Sequence, residues 1–171
     1  MKKNRKIVIC ALVAAFTCVA TLINVGPLPP SNGYIHLGDA LVLFSGILLG
    51  PVHGAAASAI GSSTADLVLG YVAYAPATLI IKFLVALCMG IMYRIGSKST
   101  LKIIISAIIS EIIMVLGYYL YEAFLLGGGI GAIAALGAIP ANVFQGISGV
   151  VISSLLINTF KNNKSLKRYM E

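Results

Sequence analysis

The chain has 171 residues, 59% of them hydrophobic and only 10% charged, with a mean hydropathy of +1.00 and a formal net charge of +7. A soluble domain carries about 25% charged residues, so this composition excludes a water-soluble enzyme and indicates an integral membrane protein. At roughly 20 apolar residues per crossing, the sequence accommodates one all-α transmembrane domain over residues 1–171, a compact six-helix bundle, and no soluble catalytic domain.

Lys2, Lys3, Arg5 and Lys6 precede the first apolar run. Basic residues followed by an apolar core resemble a signal peptide, and Cys18-Val19-Ala20 resembles a weak cleavage site. The run continues through Leu22-Ile23 into an equally apolar chain, so we read it as a retained first helix over residues 7–24. Pro27, Pro29 and Pro30 stop that helix, because proline cannot donate a backbone hydrogen bond. Residues 25–37 then form a loop, and the octet GYIHLGDA at residues 33–40 is a polar lip between two apolar segments. The runs at residues 38–50 and 53–69, split at Gly50-Pro51, are short for full crossings. Tilted or protein-packed helices are expected there, since irregular backbone is tolerated at membrane depth where it packs against protein. Further helices are predicted over residues 75–95, 101–125 and 130–160, the last with Pro140 near its outer end.

The remaining basic residues are grouped. Arg94, Lys98 and Lys102 fill one connection, and Lys161, Lys164, Lys167 and Arg168 close the chain, with Lys82 alone elsewhere. By the positive-inside rule both termini and the 94–102 connection are cytoplasmic, which requires an even number of crossings. This placement assigns the positive charge to membrane topology, so nucleic acid is not an expected partner.

Ionisable side chains inside spanning segments are expensive and are functional candidates by default. Lys82 and Glu111 lie at depths that allow an ion pair between helices four and five, either structural or facing a ligand. Around the outer ends gather Asn32, Tyr34, His36, Asp39, Asp66, Tyr71, Tyr74, Tyr118, Tyr119, Glu122, Asn142 and Gln145. Tyrosines at this depth also build an aromatic belt. Asn142 and Gln145, three residues apart, share one helical face, and their amides need partners that a planar polar ligand can supply. His36 has no second His or Cys at ligand spacing, so no metal centre is expected, and the sequence calls for no other cofactor. Cys10, Cys18 and Cys88 all lie in apolar segments and read as small hydrophobes. Residues 127–131 are glycine-rich but follow no strand, which voids any dinucleotide motif and leaves a flexible loop. A Walker lysine motif is missing too, so ATP use has to come from a partner.

Small residues at four-residue spacing permit close helix approach. They occur as Ala11 and Ala15 in the first helix and as Gly46, Gly50 and Gly54 further on.

Taken together, these features resemble the substrate-capture S components of energy-coupling factor (ECF) vitamin transporters. The resemblance rests on the length and basic ends, on Ala11 and Ala15, and on the block GYIHLGDALVLFSGILLGP at residues 33–51. Tyr74-Ala75-Pro76-Ala77 entering helix four and Pro140-Ala141-Asn142-Val143-Phe144-Gln145 opening helix six complete it. The 33–51 block looks more like the S components for hydroxymethylpyrimidine or pyridoxine-type compounds than like those for riboflavin, biotin or thiamin. The resemblance implies a six-helix protein of the cell membrane that captures a vitamin or precursor on its outer side. It further implies a membrane-embedded T protein, met at Ala11 and Ala15, and two ATP-binding-cassette ATPases. The ligand site it implies draws on Tyr34, His36, Asp39, Tyr74, Lys82, Glu111, Tyr118, Glu122, Asn142 and Gln145. Two other readings compete: an autonomous secondary carrier using Lys82 and Glu111 for ion coupling, and a membrane enzyme with His36 and Asp39 as acid and base. The missing internal repeat counts against the first, and the missing nucleophile or metal against the second.

Overall fold

The computed structural model describes residues 3–26, 34–95 and 99–163. Lys2, Pro27, Pro29, Pro30, Asn32, Gly33, Lys98, Lys164, Lys167 and Arg168 lie outside the described residues.

Six helices of more than one turn carry the fold: α1 (Lys3–Leu22), α2 (Gly38–Leu48), α3 (Pro51–Val68), α4 (Ala75–Arg94), α5 (Thr100–Phe124) and α7 (Ile139–Asn162). A one-turn α6 (Ala132–Ala135) precedes α7. The only described strands are β1 (Asn24–Val25) and β2 (Ile35–His36), paired antiparallel with Asn24 opposite His36. Proline sits in the first turn of α3, α4 and α7, where its missing N–H costs nothing and its fixed φ suits the helix. Ser99 caps α5, its hydroxyl accepting from the Lys102 amide at 3.3 Å.

The helices α1, α3, α4, α5 and α7 pack in that order, and α2 fills the space between α1, α3, α4 and α7. Only 11 residues long, α2 spans about 16 Å at 1.5 Å per residue. It does not need to meet lipid, because Asp39, Ala40 and every residue from Val42 to Ile47 is buried. Around Val42, Leu43 and Ile47 the core adds Ile81, Val85 and Met89 from α4, Ile103 and Met114 from α5, and Ile157 from α7. Gly46 makes the α2–α4 crossing possible, since a Cβ there would overlap the Ala86 carbonyl of α4. Gly50 turns the chain from α2 into α3 at φ +82°, a conformation that favours glycine.

Among the described residues four segments are long and apolar enough to cross a membrane: Asn4–Leu22, Ala75–Arg94, Thr100–Phe124 and Ala132–Asn162. Their outward surfaces carry aliphatic and aromatic side chains such as Leu12, Phe16, Ile80, Ile112, Leu116 and Leu155, as a lipid-facing exterior requires. Inside, serine hydroxyls return to backbone carbonyls, as when Ser45 donates to Val42 and Gly54 and Ser110 donates to Ser106.

The region read from sequence as one helix over residues 130–160 is interrupted. α6, a 3-10 turn at Leu136–Ala138 and α7 follow one another, because Gly131 at φ +89° starts the first turn and Pro140 starts the long helix anew. α1 ends at Leu22, before the proline cluster is reached.

Candidate functional site

The β1–β2 pairing folds the lip back over the bundle and delivers Tyr34 and His36 to the ends of α3, α4, α5 and α7. The Tyr34 hydroxyl donates to Asp66 near the end of α3. Its phenol is held well above the ordinary tyrosine range, first by burial and then by the Asp66 carboxylate, so it keeps its proton. The His36 backbone N–H donates to Gln145 Oε1 at 2.9 Å. His36 Nδ1 accepts from the Gly38 N–H at 3.0 Å, which assigns the ring proton of the neutral imidazole to Nε2. Burial pushes the His36 pKa down to about 4, with Lys82 assisting and Asp39 opposing, so the ring is uncharged at neutral pH.

Beneath the lip lies a buried polar triad. Asp39, in the first turn of α2, forms a salt bridge with Lys82 of α4, and both side chains are removed from solvent. Gln145 Nε2 donates to the other Asp39 oxygen at 2.7 Å. Lys82 Nζ also stands 5.3 Å from the centroid of the Tyr118 ring. A charge without a partner at this depth would be strongly destabilising; here each oxygen of Asp39 has a donor.

The pocket sits between lip and triad, bordered by Tyr34, His36, Asp66, Tyr74, Thr78, Tyr118, Glu122, Ala138, Ala141, Asn142 and Gln145. The Tyr74 hydroxyl donates to Glu122 Oε1 at 3.1 Å, and Thr78 and Tyr118 share a hydroxyl bond of 2.9 Å. Burial, then Glu122, raises the Tyr74 phenol above its ordinary range. Aromatic rings surround this end: Tyr34 lies 4.6 Å from Tyr71 between centroids, and Tyr74 lies 5.8 Å from Tyr121.

Of the residues singled out from sequence, Tyr34, His36, Tyr74, Tyr118, Glu122, Asn142 and Gln145 border the pocket. Asp39 and Lys82 lie behind it as the triad. Two sequence expectations need correction. Lys82 pairs with Asp39, not with Glu111, because α2 inserts its first turn against α4. Glu111 is buried on the α7 side of α5, and neither of its oxygens has a hydrogen-bond partner. Gly149 of α7 makes room there: a Cβ on it would lie 3.0 Å from the Asp39 Cβ and 3.3 Å from Glu111 Oε1. The Gln145 amide, expected to seek a ligand, is engaged mainly by the His36 backbone and Asp39. Thr78 was not anticipated, and Asp66 was noted only as an outer acid. The signal for Thr78 was its position in the stripe Tyr74, Thr78, Lys82, which repeats every four residues along one face of α4. Ala11 and Ala15 are exposed on α1, while Ala14 meets Gly61 of α3. No cluster of three or more His, Cys, Asp or Glu side chains suited to a metal occurs among the described residues.

A helical membrane bundle whose polar side chains converge on a pocket at one end has the architecture of a membrane-embedded solute-binding protein. The family model for the S component of ECF-type riboflavin transporters matches residues 1–162. The chain therefore belongs to that family, whose members are transporter components and not enzymes, and it is a substrate-binding subunit of an ECF transporter. A Pyrococcus woesei protein described as an uncharacterized protein in a gap 3' region is 33% identical over 138 residues, covering 81% of this chain and 88% of that protein. A solved structure reported as the S component of a bacterial ECF transporter superposes with a TM-score of 0.75 at 21% identity, covering 94% of this chain and 98% of that one. At that identity the likeness speaks for the fold.

Proposed function

We propose that this subunit captures a single-ring vitamin or vitamin precursor, of the hydroxymethylpyrimidine or pyridoxine type, from outside the cell membrane. The observation that carries this reading is the pocket itself, in which tyrosine rings, two carboxylates and the Asn142 amide meet at one end of the bundle. That end is opposite Arg5, Lys6, Arg94, Lys102 and Lys161, so the positive-inside rule makes it extracellular and both termini cytoplasmic. Tyrosine faces and hydrogen-bonding groups together suit a flat heteroaromatic ring. On this reading a membrane-embedded T protein docks on the α1 face bearing Ala11 and Ala15, and two ATP-binding-cassette ATPases supply the energy. The autonomous-carrier reading loses its motive, since Lys82 is engaged by Asp39.

Riboflavin is the second reading, favoured by the description of the matching family. Calorimetric titration of the purified protein with hydroxymethylpyrimidine, pyridoxine and riboflavin separates the two. Saturable binding of a single-ring compound and none of riboflavin is expected; the reverse pattern would replace the first reading by the second.

A further inference from the structure

Most polar side chains bordering the pocket are engaged by one another. Tyr34 donates to Asp66, which the Thr78 hydroxyl also reaches; Tyr118 shares a hydroxyl bond with Thr78, and Tyr74 donates to Glu122. Gln145 gives one amide hydrogen to Asp39 and uses its oxygen on the His36 backbone. Two groups on the border have no hydrogen-bond partner among the described residues: the Asn142 amide on α7 and the Nε2 edge of the His36 ring on the lip.

The turn that carries His36 fixes the state of its ring. Nδ1 accepts from the Gly38 N–H at 3.0 Å, at the start of α2. A neutral imidazole that accepts at one nitrogen donates at the other, so the proton sits on Nε2. The Nδ1 edge is closed off, since a Cβ on Gly38 would overlap the Thr21 hydroxyl of α1 and lie 2.9 Å from Nδ1. Gln145 holds the His36 backbone at 2.9 Å, and the Tyr34 ring lies 5.4 Å from the imidazole between centroids. Position and tautomer are thus both set before any ligand arrives.

A donor of fixed position discriminates between ligands through the cost of leaving it unpaired. A ring with a lone pair at that point satisfies it, whereas a ring of the same outline with a C–H there strands it on binding. We propose that His36 is a specificity-determining residue that presents its Nε2–H to the pocket and selects heteroaromatic rings carrying an acceptor atom, a lone-pair ring nitrogen or a ring carbonyl oxygen. Resting on the capture reading above, this names the kind of atom the cargo brings to the lip. Asn142, whose amide both donates and accepts, is the second contact and tolerates either kind of atom on the α7 side. Recognition is thereby joined to the anchorage of the lip, because the residue that meets the ligand is also held by Gly38 and Gln145.

The test follows the imidazole nitrogens by NMR in the purified full chain carrying isotope-labelled histidine. The chain has two histidines, His36 and His53, and His53→Gln assigns the signals. Without ligand the His36 ring should show a protonated Nε2 and an unprotonated Nδ1. Saturation with whichever of the amino-substituted hydroxymethylpyrimidine, pyridoxine and riboflavin binds should shift the Nε2 signal and slow exchange of its proton with water. In calorimetry, the pyrimidine with both ring nitrogens replaced by C–H should bind about tenfold or more weakly than the parent, and this preference should largely vanish in His36→Phe. If that variant does not fold, the NMR signals and the comparison of the two compounds on the native chain decide; where riboflavin is the compound that binds, the Nε2 signal decides. A proton on Nδ1, an Nε2 signal unmoved by saturating ligand, or equal binding of the nitrogen-free ring would overturn the inference while leaving vitamin capture standing. No binding of any of the three compounds by folded protein would remove the capture reading, and this inference with it.

Discussion

Gln145 is the residue through which lip and bundle are joined. Its oxygen holds the His36 backbone and its nitrogen holds Asp39, so its loss strands a buried donor and weakens the Asp39–Lys82 pair together. Gln145→Ala should therefore lower both ligand affinity and melting temperature, by about 1–3 kcal/mol in stability. Asn142, half-buried on the same face of α7, should behave differently: Asn142→Ala weakens binding by about 1–3 kcal/mol and leaves the melting temperature unchanged. Parallel calorimetry and thermal unfolding of the two variants distinguish the roles. Lys82→Met leaves Asp39 as an uncompensated buried charge and should cost about 3–5 kcal/mol; adding Asp39→Asn should recover much of the folded yield. His36 gives a pH signature. Its folded pKa of about 4 lies below the ordinary 6.5, so between those values the unfolded chain takes a proton that the folded lip does not. Stability falls as pH drops through that window and is untouched by this group above it. The melting temperature of His36→Gln should accordingly change less than that of the native protein between about pH 7 and pH 5.

At the scale of elements, α2 explains both what the sequence reveals and what it conceals. Composition alone indicates an all-helical membrane bundle, because so few charges leave no other solvent for the surface. The polarity of the 33–40 octet marks a special segment, and α2 begins at Gly38 as the run at residues 38–50 indicates. What the pattern does not show is that the first turn carries Asp39 fully into the core. Depth along α4 and α5 could be counted from sequence, but not which neighbour each face meets; hence Lys82 was matched with Glu111 when the inserted α2 supplies its partner. Thr78 was hidden for a related reason, being an ordinary helical residue until Tyr118 is brought opposite it. The glycines are more readable. Gly46 faces the Ala86 carbonyl, and Gly90 in turn faces Gly46 and Pro51, so α2, α3 and α4 approach through backbone contacts. Gly46→Val should force α2 from α4 and destabilise the bundle by about 1–3 kcal/mol, measured by thermal unfolding in detergent, whereas Ile80→Val on the outer face of α4 should have little effect.

Across the whole molecule, basic residues gather at one end and the acid-lined pocket lies at the other, a polarity suited to capturing solute on one side and meeting an ATP-driven partner within the membrane. On the proposed reading α1 serves the second task. It packs on α3 through Ala14 and Gly61, leaving Ala11, Leu12, Ala15 and Phe16 exposed. Ala11→Leu with Ala15→Leu should abolish uptake in the assembled transporter while leaving ligand affinity intact; a loss of affinity instead would tie α1 to the pocket. The central claim is that the pocket between lip and triad holds the transported compound. Titration of the purified chain with the amino-substituted hydroxymethylpyrimidine tests it most directly when native protein is run beside Asn142→Ala. The account predicts saturable binding by the native chain that weakens in the variant; undiminished binding in a folded Asn142→Ala protein, or none of any B vitamin in the native one, would contradict it.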